Sequence, residues 1–363
     1  MGFEIDFLAV GKEGQSGDAI ALRFGNLYGK REEQFIVVID GGFKESGEQL
    51  VNHIKKYYDN KGIVDLVVLT HPDADHASGL EVVLSELTVK KLWMHQPWNH
   101  TQDIANMFKD GRVTDQSVSI AIRKSLESAR TLENLAKSKG IPIEEPFTGL
   151  RLWAANANIM VIGPTIPYYE SLLPNFKGTP EPKELYKLIE QAATAITEFI
   201  SKIAETFDIE TLDDGGETSA ENNSSSIIAI FTDNQTLLFT ADAGISALTQ
   251  AAYILGSIGI NYKNISFMQV PHHGSKRNVG PNILDQLIGP KLAEDKSIKT
   301  AFVSAARDGL PKHPAKKVTN AFRRRGAYVY ATQGNGWRQS YEAPVREGWA
   351  SGSPLPFYNE VEE

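Results

Sequence analysis

The 363-residue sequence predicts an α/β layered protein, two sheets with helices outside them. Three observations lead there. Short apolar strands dominate both ends of the chain, amphipathic helices lie between and after them, and several strands run straight into loops bearing His or Asp. No repeat of fixed period argues for a solenoid instead.

Taken in order, Phe3 to Val10 and Ala19 to Phe24 alternate as a hairpin joined through GKEGQSGD. FIVVID at 35–40 is a buried strand ending at Asp40-Gly41-Gly42. Residues 47–58 form a helix, with Leu50, Ile54 and Tyr57 on one face. VDLVVLT at 64–70 runs into THPDADHASG, then LEVVLSEL is helical and KKLWMH a strand. Ile104 to Lys139 has helical character, and NIMVIGP at 158–164 is a strand. SIIAIF and QTLLFTAD are strands, 245–256 a helix, ISFMQVPHHGSK and KTAFVSA strands, 314–325 a helix, and AYVYAT the last strand. The character changes between Pro180 and Glu221. PKELYKLIEQAATAITEFISKIAETF has the spacing of a long helix, and the acidic DIETLDDGGETSAENNSSS follows. Residues 164–221 are therefore expected to be a helical, partly mobile insertion in a single domain spanning 1–363, its helix packing on the body or capping a cleft. A plain surface elaboration is the competing reading.

Composition narrows the function classes. With 41% hydrophobic residues the chain can bury a full core without disulfides or a structural metal. The absence of cysteine excludes thiolate zinc sites, iron–sulfur clusters and thiol nucleophiles. A net charge of −8 argues against coating nucleic acid by bulk charge, while leaving room for a local basic groove. The N-terminus opens in a strand pattern without a secretory signal, and no apolar run approaches the roughly twenty residues of a membrane span, so a cytoplasmic protein is expected.

The densest chemistry is THPDADH, where His71, Asp73, Asp75 and His76 follow a buried strand. Four nitrogen and carboxylate ligands on a short loop can converge on one cation. The competing reading is a polar turn in which Asp75 or Ser78 caps a helix at 79–86. Asp40, Asp242 in LLFTAD, and His272 with His273 in FMQVPHHGSK also stand at strand ends, where sites collect on one sheet edge. Singly, Asp40 or Asp242 reads as a solvated turn residue; together the four strand ends do not.

The ordered set Asp40 in IDGG, HPDADH, Asp242 in TAD and His273 in HHGS resembles the metallo-β-lactamase-fold hydrolases. With GQSGDAI at 14–20 and His313-Pro314, it is most similar to the branch containing the competence-related DNA-internalization hydrolase domain. The resemblance implies a four-layer αββα sandwich holding two divalent metal ions, zinc or manganese. It assigns His71 and Asp73 to the first, Asp75, His76 and His273 to the second, Asp242 as the bridge, and Asp40 behind the cluster as an orienting group. Two departures stand out. Asp73 replaces a histidine, and the histidine usual between the loop and the bridging Asp has no counterpart. Its place is held by ENNSSS, which leaves Asn223 or Ser225 for the role, or an under-coordinated first metal and a mononuclear enzyme.

The implied chemistry is metal-assisted hydrolysis by a water between cations about 3.5–4 Å apart. Asp75 would hold a metal and orient that water. His272, beside His273 but pointing elsewhere, and His313 would protonate the leaving group or bind a phosphate oxygen. Ser275, Lys276 and Asn223 are assigned to the substrate. Lys276, Arg277, Lys312, Lys316, Lys317 and Arg323 to Arg325 form the one sizeable basic concentration. They make a rim suited to a phosphodiester, DNA or RNA, if they are not simply a solvated helix face. Trp93, Trp98 and His100 are candidates for base stacking, or else packing residues. The expected function is a phosphodiesterase or nuclease. Hydrolysis of a cyclic nucleotide, a phosphocholine ester or a lactone, or a non-catalytic binding module, are the alternatives.

Overall fold

Runs such as FIVVID and VDLVVLT carry apolar side chains on both strand faces, so neither face can be left to water. The computed structural model describes residues 1–11, 15–187, 202–233, 235–309 and 312–362. In it, two seven-stranded sheets bury these runs between one another and under outer helices. The first sheet takes β1 (Gly2–Phe7), β2 (Ala19–Gly25), β3 (Gln34–Gly41), β4 (Leu66–Val68), β5 (Leu92–Trp93) and β6 (Ile143–Glu144). The second takes β7 (Arg151–Ala154), β8 (Ala157–Gly163), β9 (Ile227–Phe231), β10 (Thr236–Phe239), β11 (Ile265–Gln269), β12 (Lys299–Val303) and β13 (Ala327–Ala331). β14 (Trp337–Tyr341) returns to the first sheet beside β1.

Spatial order is β14-β1-β2-β3-β4-β5-β6 in one sheet and β13-β12-β11-β10-β9-β8-β7 in the other. Pairing is antiparallel from β14 to β3 and parallel from β3 to β6. The second sheet mirrors this, with antiparallel β7 to β10 and parallel β10 to β13. The inter-sheet core is aromatic. Phe302 packs edge-on against Phe7 at 5.4 Å and Phe267 at 5.2 Å between ring centroids. On the outer faces, α1 (Lys44–His53), α2 (Ala74–Glu86), α3 (Asp115–Ser125) and α4 (Glu127–Ser138) belong to the core over the first sheet. The smaller helices α5 (Ile166–Leu172) and α6 (Ala220–Asn223) join the same core, while α7 (Ile245–Ser257), α8 (Pro281–Leu287) and α9 (Lys316–Arg324) cover the second sheet. This is a four-layer αββα sandwich.

One close approach fixes the site's scaffold. A Cβ on Gly79 would lie 1.9 Å from the Gly41 carbonyl oxygen, and one on Gly47 would lie 2.3 Å from that of Gly79. Glycines therefore let α1 and α2 settle onto the end of β3, sealed by the Gly79 N–H donating to the Gly42 oxygen at 2.8 Å.

Several elements differ from expectation. α2 starts at Ala74, so neither Asp75 nor Ser78 caps it. β14 has no apolar alternation because it is a half-exposed edge strand, and β7 and α8 were likewise not expected. Of the long helix expected at 182–207, residues 188–201 lie outside the described residues. Lys202–Ala204 forms a strand paired with Glu360–Glu362.

The stretch behind it meets named partners on α9 and α8. Arg324 and Arg325, 0% and 1% exposed, pair with Glu205 at 3.0 Å and Glu210 at 2.7 Å, and Arg325 also meets Asp285 at 2.7 Å. Arg323 is taken by Asp295, and Lys317 is buried. The arginine run is thus an internal fastener and not a basic rim, because acidic residues distant in sequence meet it. Among the described residues, no helix is long and apolar enough to cross a membrane.

Candidate metal centre

The C-terminal ends of β3, β4, β10 and β11 lie on one edge, and the chain leaves them in turns that redirect side chains inward. Asp40, Ala241, His272 and His273 all adopt left-handed backbone, with φ of 56°, 46°, 45° and 56°. Such strain in residues with a β-carbon persists where the surroundings enforce it. The result centres on Asp242. Its Oδ2 has the Nε2 atoms of His76 and His272 at 3.5 Å each, His71 at 3.8 Å and His273 at 3.9 Å. Asp75 closes the other side, its Oδ2 3.8 Å from His273 Nε2 and 3.9 Å from His76 Nε2.

The imidazoles are oriented from behind. His76 Nδ1 faces Asp40 Oδ2 at 2.8 Å, and His273 Nδ1 faces the Ser304 carbonyl at 3.0 Å. The Thr70 hydroxyl donates to Asp40 at 2.7 Å, so it accepts from His71 Nδ1 at 3.2 Å. Protons on Nδ1 leave the Nε2 lone pairs facing inward. Accordingly His71 Nε2, His76 Nε2, His273 Nε2 and Asp242 Oδ1 are buried without any hydrogen-bond partner. Among the described residues, four sets of ligand atoms lie within 4.8 Å of one another: His71, His76 and Asp242; Asp75, His76 and His273; Asp242, His272 and His273; and, behind these, Asp18, Asp40 and His76. Orphaned lone pairs and carboxylates in this mixture fit divalent cations.

The electrostatics agree. Burial opposes charge on His273, yet Asp242 and Asp75 lift its pKa to about 9. Burial likewise opposes charge on His76, but Asp242, Asp40 and Asp75 hold it well above the usual range. Against the same burial, the imidazole charges press Asp75 and Asp242 below the ordinary carboxylate range.

Other expected site residues fall differently. Asp73 joins none of these groups. At the N-cap position of α2 it meets Lys177 Nζ at 3.3 Å. Lys177 is itself held by its backbone. Its N–H donates to Glu221 Oε1 at 2.5 Å, and its carbonyl accepts from Ser125 Oγ at 2.5 Å. His272 does not point elsewhere; the left-handed turn brings its Nε2 onto Asp242. His313 is largely buried with Nδ1 unpartnered, its ring 6.5 Å from that of His272, and burial lowers its pKa to about 4. A cavity of about 560 Å³ opens over the centre, lined among others by Phe43, Asp75, Glu127, Lys177, His272 and His313.

Ser275, Lys276 and Asn223 are not among its lining residues. Ser275 Oγ accepts from the Arg277 N–H within its own turn, and Asn223 donates to the Thr218 carbonyl. Asn223 Oδ1 and Ser225 Oγ are buried without partners. Trp93 is core and bonds Glu144, Trp98 lies under Arg123, and His100 sits between Glu145 and Glu170. None of these three lines the cavity.

Sequence reasoning passed over Asp18, though GQSGDAI contains it. Buried beside Asp40 and 3.9 Å from His76 Nδ1, it accepts from Gln269 Nε2 at 2.9 Å, and burial raises its pKa to about 6.

The Metallo-beta-lactamase superfamily model matches residues 27–144. Solved structures similar to the chain include CmlA, a diiron beta-hydroxylase from Streptomyces venezuelae, at 11% identity over 93% of this chain and 54% of that one, TM-score 0.44. A metallo beta lactamase from Hirschia baltica is similar at 12% identity over 80% and 95%, TM-score 0.34. One from Pontibacter korlensis shows 14% identity over 70% and 80%, TM-score 0.29. The chain spans about half the length of the CmlA chain. No curated protein matches the sequence.

Proposed function

We propose that the chain is a metal-dependent hydrolase that cleaves a small phosphodiester with water. The observation that carries this reading is the Asp242 carboxylate ringed by four imidazole nitrogens, three of them buried without partners, beside a cavity of about 560 Å³ that Asp75, His272 and His273 line. His71, His76, Asp75, Asp242 and His273 would hold two divalent cations, zinc or manganese, with Asp40 orienting His76. Such ions, when bound, supply Lewis acidity and a water nucleophile at neutral pH.

The chain's own residues do the rest. Lys177, its backbone clamped by Glu221 and Ser125, presents an ammonium to an anionic oxygen of the substrate. His313, neutral near pH 7, hydrogen-bonds the substrate and relays a proton at the leaving group. Phe43 and α4 at Glu127 limit the width of the cavity. A small diester is favoured over DNA or RNA because the arginine run that would track a polynucleotide is buried in ion pairs.

Protein loaded with manganese or zinc is expected to hydrolyse bis-p-nitrophenyl phosphate. Asp75→Ala and His273→Ala should abolish that activity while circular dichroism stays unchanged. Full activity in both variants would remove the metal assignment. A loaded wild type inert toward diesters but active on a lactone would move the substrate to carbonyl carbon.

A further inference from the structure

We infer that His272 is a metal ligand, supplying the imidazole that the sequence lacks between the HPDADH loop and Asp242. The inference rests on the reading that this centre binds divalent cations, and it concerns which side chains hold them.

The tautomer of His272 follows from its neighbour Asn278. The Asn278 amide nitrogen donates to the carbonyls of Asp242 at 2.8 Å and Ala243 at 3.3 Å, which fixes the amide's orientation. Its Oδ1 is thereby turned to His272 Nδ1, at 2.9 Å. An amide oxygen only accepts, so Nδ1 carries the proton and Nε2 the lone pair. The Asn222 amide nitrogen, which gives one N–H to the Thr218 hydroxyl at 2.8 Å, also lies 3.3 Å from Nδ1 with its second, but the contact with Asn278 is shorter by 0.4 Å and decides.

With Nδ1 given to Asn278, Nε2 is the ring nitrogen that faces the centre. It presents a lone pair 3.5 Å from the carboxylate oxygen of Asp242. Two acceptors facing each other at that distance call for a cation between them. Asn278 stands to His272 as Asp40 stands to His76, a polar group on Nδ1 that aims Nε2 inward.

The backbone is built for the same end. In an extended pair, successive side chains point to opposite sides. Here His272 and His273 are both left-handed, and both Nε2 atoms reach the same Asp242 oxygen, at 3.5 and 3.9 Å. The turn is closed by the His272 N–H donating to the Ala241 carbonyl at 3.0 Å and the Ser275 N–H to the His272 carbonyl at 2.9 Å. His71 and His272 then share Asp242, while Asp73 is left to Lys177.

The test is metal binding itself. Protein stripped with a chelator is reloaded with cobalt(II) alone; bound ions are counted by mass spectrometry and the visible absorption of the ion is recorded. Wild type is expected to bind two ions. His272→Gln, which keeps a polar side chain in the turn, and His272→Ala should lose one ion or bind it at least about 100-fold more weakly, with one component of the spectrum gone. Asn278→Ala, which frees the ring, should weaken the same ion about 10–100-fold. His313→Ala, in the same cavity, should keep both ions. A folded His272→Gln with wild-type stoichiometry, affinity and spectrum overturns the inference and leaves the metal reading standing. A wild type that binds no cobalt, zinc or manganese overturns both.

Discussion

Asp40 shows how much one side chain behind the centre can govern. It accepts from the Thr70 N–H at 2.8 Å, from the Thr70 hydroxyl at 2.7 Å and from His76 Nδ1 at 2.8 Å, so every contact uses its charge. Asp40→Asn puts an amide donor among donors and should lower metal affinity about 10–100-fold, read by competition with a chromogenic chelator. Unchanged affinity would leave Asp40 a purely structural residue. Lys177→Ala should raise KM for an anionic diester several-fold with little change in kcat, and make KM less sensitive to salt. Equal KM in the variant would take Lys177 out of the substrate site. At this scale the sequence was informative where a residue's type and its place at a strand end sufficed, as for His71, Asp75, His76, Asp242 and His273. It was silent on Lys177 and Asn278, whose roles come from tertiary neighbours. Asp73 meets an ammonium 104 positions away, a contact that spacing alone cannot reveal.

α9 teaches the corresponding lesson for elements. Three successive arginines on an amphipathic helix read as a solvated face, yet two are buried against acidic residues more than a hundred positions earlier. No local pattern encodes such a pairing, whereas the sheet strands were legible because apolar continuity is local. The fastener carries a stability cost when broken. Glu205→Ala leaves the Arg324 guanidinium buried and unpaired, and should cost about 3–5 kcal/mol in urea unfolding. A loss within experimental error would show that Arg324 finds its charge balance elsewhere. Reversing Arg323, Arg324 and Arg325 to Glu should therefore compromise folding before any effect on substrate choice can be measured.

For the molecule as a whole, a buried charge cluster ties the first strand to a late segment. Asp6 meets Arg346 at 2.7 Å and His53 at 3.1 Å and accepts from the Tyr58 hydroxyl. Burial alone would raise the Asp6 pKa, but His53 and Arg346 bring it down to about 2. A carboxyl depressed on folding adds stability that is complete above its unfolded value near 4 and lost as pH falls toward 2. The shift is worth about 2 kcal/mol, and Asp6→Asn should flatten this part of the acid limb of a urea-midpoint profile. An unchanged profile would assign acid sensitivity to other groups. The late segment also shows why layer architecture could be read from strands while their connections could not: Arg346 belongs to no periodic element. One connection has a further consequence. Glu205 and Glu210 hold α9, and the Ala315 N–H just before it donates to the Gly274 carbonyl, next to His273. Residues 205–210 and the arginine run thus act together on the turn that carries His273. Trimming the chain to its bare sandwich would slacken the turn that aims both imidazoles.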